Sequence, residues 1–166
     1  MRCYVLMGVS GCGKSSVGEA LSTRCGMTFI DGDDLHPRAN IEKMASGVPL
    51  TDDDRGPWLE AVGDALAASA GTSAIGCSAL KRRYRDIIRS RVAEPVCFIH
   101  LHAEQRVLEE RVNEREGHFM PPALLQSQFD ALEMLEADEL GARIDIAQPL
   151  AGVISDAERY VKETME

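Results

Sequence analysis

The chain has 166 residues, 45% hydrophobic and 27% charged, with a formal net charge of −9; this suits one globular domain and offers no basic surface for nucleic acid or an anionic membrane. Five cysteines, an odd number without C-x-x-C spacing, indicate neither a disulfide framework nor a zinc site, and they fit a reducing, cytoplasmic setting. No segment has the length of a membrane span, and the short apolar run that follows a single basic residue leaves no room for a removable signal.

Residues 2–7 are almost continuously apolar, which predicts a strand buried on both faces of a parallel sheet. The strand delivers Gly8-Val9-Ser10-Gly11-Cys12-Gly13-Lys14-Ser15-Ser16, a fit to G-x-x-x-x-G-K-[ST]. In that pattern bare backbone N–H groups surround phosphates, the lysine reaches the outer ones and the hydroxyl meets Mg²⁺. The bland alternative, an ordinary glycine-rich turn, needs neither the lysine nor the hydroxyl. A helix follows from Ser15 to Cys25, with Gly26 as its stop.

Met27 to Ile30 is the second predicted strand, and it runs into Asp31-Gly32-Asp33-Asp34. Carboxylates at the C-terminal end of a parallel strand lie where open α/β sheets bind ligands. Pro37 suits the first turn of a helix ending at Gly47, and a longer helix starts between Thr51 and Pro57. Thr72 to Cys77 is the third strand, Leu80 to Val92 a basic amphipathic helix and Val96 to Leu101 the fourth strand. A helix from about Glu104 to Arg115, a turn at Gly117-His118-Phe119 and a helix opened by Pro121 and Pro122 come next. Ile144 to Ala147 reads as a short last strand, and the tail from Leu150 as a helix. Strands alternating with helices imply one α/β domain, a doubly wound parallel sheet of about five strands.

A phosphate loop does not by itself separate kinases from GTPases or motors. An Asn/Thr-Lys-x-Asp guanine-reading motif is missing, and the third and fourth strands end in Cys77-Ser78 and Leu101-His102 rather than in a Walker-B acid. Asp31 and Asp33 therefore inherit two duties of phosphoryl transfer: holding the metal and orienting the attacking hydroxyl. Their bland role, shared with Asp34, is capping and turn formation.

The blocks Asp31-Gly32-Asp33-Asp34-Leu35-His36-Pro37, Asn40-Ile41-Glu42-Lys43-Met44 and Asp52-Asp53-Asp54-Arg55-Gly56-Pro57-Trp58-Leu59 resemble the signature of gluconokinases. Cys77-Ser78-Ala79-Leu80-Lys81, Tyr84-Arg85-Asp86, Gly117-His118-Phe119, Ser127-Gln128-Phe129 and Gln148-Pro149 extend the similarity over nearly the whole chain. The resemblance implies a P-loop NTPase fold like that of adenylate and shikimate kinases: a five-stranded parallel sheet flanked by helices on both faces, with a helical lid over residues 104–122. It also implies ATP and Mg²⁺ as cofactors, D-gluconate as substrate, 6-phosphogluconate as product and a homodimer.

By the same resemblance Asp33 is the general base, and Asp31 joins Ser15 in the magnesium shell. A pocket for a polyol carboxylate needs cations and hydrogen-bonding groups. Arg55 is the candidate for the carboxylate because a guanidinium binds it bidentately; His36, Asn40, Lys43 and Lys81 are candidates for hydroxyls or a second charge. Any of these can equally be a solvated surface residue. Arg115, with Arg111, is expected to close over the phosphates as part of the lid, although Glu109, Glu110, Glu114 and Glu116 are near enough to neutralise both. His118 is placed in the lid turn, His100 and His102 are read as structural, and Gln148 lies where related kinases hold the base.

The chain departs from the family pattern at Glu116, often basic elsewhere, and at Leu135, where proline is common, so the helix before it is expected to extend towards Asp138-Glu139. Cys12 stands where serine is common; beside a helix N-terminus it is either an oxidant-sensitive thiol or a small tolerated residue. Two rival readings stay open: a kinase of the same fold acting on another hydroxy acid or a nucleotide, and a nucleotide-binding regulatory module without turnover.

Overall fold

The computed structural model describes residues 2–114 and 122–165. Its frame is a sheet of five parallel strands: β1 (Cys3–Met7), β2 (Thr28–Asp31), β3 (Ser73–Gly76), β4 (Val96–His102) and β5 (Gly141–Asp145), in the order β2-β3-β1-β4-β5. β1 is central, and every one of its residues is buried. It pairs with β3 through Leu6↔Gly76 and with β4 through Leu6↔Ile99. Between the strands run α1 (Lys14–Cys25), α2 (Arg38–Ala45), α3 (Asp52–Ala68), α4 (Arg82–Ser90), α5 (Gln105–Glu114) and α6 (Pro122–Ala131), with α7 (Leu150–Met165) at the end. α1 packs on α7, α3 packs on α4, and α1, α3 and α7 each contact the sheet. All strands point the same way, so the loops leaving β1, β2 and β3 gather at the C-terminal end of the sheet, where the site forms.

Two boundaries differ appreciably from the sequence expectation, each for a physical reason. β5 lies at Gly141–Asp145 rather than at Ile144 to Ala147. It is an edge strand that pairs β4 from Phe98↔Gly141 to His102↔Asp145, and only Ile144 along it is buried, so its apolar signal is weak. α6 stops at Ala131 instead of extending to residues 138–139. Beyond it the Glu133 N–H is taken by the Leu80 carbonyl at 2.7 Å, and the Glu133 and Met134 carbonyls accept from the Arg85 guanidinium. The chain is thereby drawn across to the segment after β3. α3 starts at Asp52, within the expected range, and Pro57 sits inside it.

The basic helix α4 spends its charge internally. Arg82 pairs with Glu136 and Asp138, Arg91 with Asp64, and the fully buried Arg85 holds Glu139, whose carboxylate Arg89 also reaches. Burial pushes the Glu139 carboxyl up, but the hydrogen bonds from Arg85 and Arg89 outweigh it and hold the group well below the usual carboxylate range. All five cysteines are free thiols. No helix among the described residues is long and apolar enough to cross a membrane.

Candidate active site

The loop between β1 and α1 is shaped by its glycines. Gly13, the residue before α1, has φ 97°, and no side chain caps the helix, so the first N–H groups of α1 are left for a ligand. At Gly8, φ is 146° and an added Cβ would lie 2.7 Å from the Leu101 carbonyl oxygen, which excludes any larger residue. The Gly8 N–H donates to Ser78 O at 3.2 Å, tying the loop to the segment after β3. Ser10, Gly11, Gly13, Lys14, Ser15 and Ser16 line a hollow of about 170 Å³ together with Asp33. The Lys14 ammonium folds back onto Gly8 O at 3.0 Å and Val9 O at 3.1 Å, with Cys12 Sγ at 3.7 Å. Cys12 is only 2% exposed, so its thiol faces the interior and is shielded from oxidants in this state.

The acids after β2 stand beside this hollow. Asp31 accepts from the Ser15 hydroxyl at 3.3 Å through one oxygen and from the Asp33 N–H at 3.0 Å through the other. It therefore caps the short 3₁₀ turn Gly32–Leu35 while also facing the phosphate loop. A hydroxyl and a carboxylate oxygen side by side form a hard-oxygen donor set that suits Mg²⁺, which takes few protein ligands and completes its shell with water and phosphate. Asp33 keeps solvent contact, yet the crowding of its carboxyl by protein, reinforced by Asp31 and Asp34 against the opposing pull of Lys14, raises its pKa above the ordinary value.

Next to the hollow opens a cavity of about 510 Å³, bounded by Ser10, Lys14, Asp33, His36, Arg55 and Ser78, by apolar residues of the 41–50 segment, and by Leu124, Ser127 and Gln128 of α6. Its size suits a small molecule. His36 is stacked on Trp58, ring centroids 3.9 Å apart, and the Trp58 Nε1–H is anchored on Gly32 O at 2.8 Å. Burial, helped by the Arg55 charge, lowers the His36 pKa to about 4, so the ring is neutral at physiological pH. Arg55 comes from the first turns of α3, lies 5.3 Å from the Tyr84 ring centroid, and has a buried Nε without a partner. No carboxylate among the described residues pairs with it. A guanidinium that lines a cavity without a carboxylate partner is prepared for an anion.

The structure thus brings Lys14, Asp33, His36 and Arg55 onto one wall, but it spends the other expected pocket groups on building that wall. Asn40 donates to Asp54 O at 3.0 Å and lies 3.3 Å from His36 Nδ1, so it orients the ring. Lys43 is paired with Asp54 at 2.6 Å and Lys81 with Asp52 at 3.1 Å; neither lines the cavity. Arg111 is turned to the carbonyls of Ile146 and Gln148, while the Gln148 side chain donates to Asp145 O at 2.7 Å and Asp156 Oδ2 at 3.0 Å. Arg111 therefore supports the loop after β5, where the base was expected, and does not face the phosphate hollow. Arg115 and His118, expected in the lid, lie outside the described residues. His100 is buried within β4, in keeping with a structural role.

Sequence reasoning assigned no role to Trp58, Ser78 or Gln128. Trp58 stands in the block from Asp52 to Leu59 that carries the family resemblance. Ser78 and Gln128 stood in matching blocks without a chemical signature. Ser78 follows β3 and precedes Ala79, whose φ of 45° is unusual for a residue with a side chain. Arg85 stabilises that turn by donating to the Ala79 and Leu80 carbonyls at 3.0 and 3.2 Å.

A shikimate kinase family model matches residues 10–165. The chain is 48% identical over 165 residues to the thermoresistant gluconokinase of Escherichia coli K12, covering 96% of this chain and 93% of that one. A solved gluconokinase structure from Sinorhizobium meliloti 1021 superposes with a TM-score of 0.91 at 49% identity, covering 98% of this chain and 92% of the other. At 16% identity and a TM-score of 0.69, an APS kinase of Mycobacterium tuberculosis shares the fold.

Proposed function

The chain belongs to the gluconokinase family, built on the P-loop kinase domain of shikimate kinases, and from that premise we propose that it transfers the terminal phosphoryl group of ATP to the 6-hydroxyl of D-gluconate. The observation that carries this reading is a shared wall: Ser10, Lys14 and Asp33 line both the phosphate hollow and the larger cavity. A phosphoryl group held in one therefore faces a hydroxyl held in the other, and catalysis becomes mainly positioning and charge stabilisation.

In this reading the α1 N-terminus and the loop N–H groups hold the triphosphate, and Lys14 exchanges its loop carbonyls for phosphoryl oxygens. Arg55 takes the gluconate carboxylate bidentately, and neutral His36 hydrogen-bonds a hydroxyl. Asp33 accepts the proton of the 6-hydroxyl as its oxygen attacks phosphorus and the bond to ADP breaks. Its raised pKa improves it as a base. Ser15 and Asp31 would hold Mg²⁺, which neutralises phosphate charge when bound. Arg115 is assigned to the closing lid on the family resemblance, and Arg111 with Gln148 to the support of the base-holding loop.

The test is an ATP-coupled assay across gluconate, other sugar acids, shikimate and nucleoside monophosphates. The expected result is turnover with gluconate at a kcat/KM at least about tenfold above that with any other acceptor. No turnover with gluconate, or a preferred nucleotide, overturns the reading.

A further inference from the structure

Gln128 spends both ends of its side-chain amide on one residue of the phosphate loop. Its Oε1 accepts from the Ser10 N–H at 2.7 Å, and its Nε2 donates to Ser10 Oγ at 3.0 Å. Ser10 is one of the three residues shared by the phosphate hollow and the acceptor cavity, so this double contact sits at the transfer point.

α6 has other anchors besides this contact. Leu125 is buried in the core, Gln126 is bonded to Gln105 at 2.6 Å, and the helix exit is tied by the Glu133 N–H to Leu80 O at 2.7 Å. Its chemistry is specific as well. A side-chain amide can accept from an N–H and donate to a hydroxyl while carrying no charge; a carboxylate could not donate, and a lysine or arginine could not accept. Because Ser10 Oγ already accepts from Gln128, its own proton is free to be donated elsewhere, and at this place the phosphoryl oxygens are the acceptors.

We propose that Gln128 is a positioning residue for phosphoryl transfer, fixing Ser10 so that its hydroxyl donates to the transferring group and so that α6 and the phosphate loop move as one unit. The proposal rests on the kinase reading above and adds the residue that aligns the loop with the acceptor cavity. Misplacing a reacting group by about 1 Å can cost on the order of 100-fold in rate, and the loss of an amide contact that only orients a donor should cost about tenfold.

The experiment uses the full chain with Gln128→Ala, Gln128→Glu, Ser10→Ala and the Gln128→Ala/Ser10→Ala pair. Affinity for MgATP is read by calorimetry without gluconate, kcat and KM with gluconate, and the thermal midpoint for folding. For Gln128→Ala the expected result is a kcat about tenfold lower, with MgATP affinity within about threefold and an unchanged KM for gluconate. Gln128→Glu should bind MgATP about tenfold more weakly, because a carboxylate is set beside the phosphates. The pair should lose no more activity than the worse single variant, as expected of groups acting together. A Gln128→Ala enzyme within about twofold of the parent kcat, or losses that simply multiply in the pair, overturns the proposal. Failure of the unsubstituted chain to phosphorylate gluconate sinks the kinase reading instead, and the titration then decides alone: unchanged MgATP affinity in Gln128→Glu overturns the positioning role.

Discussion

Helices α1 and α3 both begin at the edge of the site, α1 under the phosphate hollow and α3 beside the acceptor cavity, and they begin in opposite ways. α1 follows Gly13 in a left-handed conformation with no side-chain cap. α3 has a complete capping box: Thr51 accepts from the Asp54 N–H at 3.1 Å, and Asp54 accepts from the Thr51 N–H at 2.8 Å. Asp52, Asp53 and Asp54 fill its first turn, and Asp52 and Asp54 go on to hold Lys81 and Lys43. One helix start is left open for a ligand's charge; the other is closed by its own residues and made into a rigid wall that carries Arg55. Cations near the site thus divide into those paired with a carboxylate of the wall, Lys43 and Lys81, and those without a carboxylate partner among the described residues, Lys14 and Arg55, and the second group is the one left to meet a substrate.

Substitutions that remove a free group should act on chemistry, and those that remove a wall group on stability. The largest effect is expected from Lys14→Met, with kcat falling about 1000-fold in a steady-state assay, as for other groups that stabilise transition-state charge. Arg55→Met should raise the KM for gluconate about 100-fold, the equivalent of roughly 2–3 kcal/mol for a charge-assisted bidentate contact, while MgATP affinity measured by calorimetry stays unchanged. By contrast, Thr51→Ala should lower stability by about 1 kcal/mol, seen as a thermal midpoint about 2–4 °C lower, with kcat nearly intact. Lys43→Met is expected to be milder still, with the KM for gluconate within about threefold. A 100-fold KM change in Lys43→Met would break the division between wall and ligand.

The pH profile sharpens the same contrast. Asp33 works as a base only when ionised, and its pKa is raised by burial, so kcat/KM should be lost as pH falls through a value above the ordinary 3.8. His36, held neutral down to about pH 4, should add no limb near its usual 6.5. On the wall, Lys43 and the Thr51 cap lower the Asp54 pKa to about 2. A depressed carboxylate gives stability that is fully present above its unfolded pKa and is lost only as pH falls towards that lower value.

The open start was legible in the sequence and the closed one was not, for physical reasons. The phosphate loop is made of backbone, so its glycines, lysine and hydroxyl must stand at fixed spacing, and strands buried on both faces announce themselves as apolar runs. The wall is made of side chains that pair across the fold. Lys43 and Lys81 look the same in sequence whether they face a substrate or Asp54 and Asp52, because the partners become apparent only once α2, α3 and the segment after β3 are assembled. Trp58 stands in the resembling block, but its stacking on His36 follows from the 3₁₀ turn that brings the two rings together. The end of α6 is not legible in the sequence, because what stops it is Leu80 and Arg85, some fifty residues away.

The most direct measurement compares the unsubstituted chain with Asp33→Asn, following gluconate phosphorylation and, separately, MgATP binding by calorimetry. The account predicts turnover in the former and a kcat about 1000-fold lower in the latter, with MgATP affinity within about threefold, because the amide keeps the shape of the site and cannot take the proton. An Asp33→Asn enzyme with full activity would contradict it.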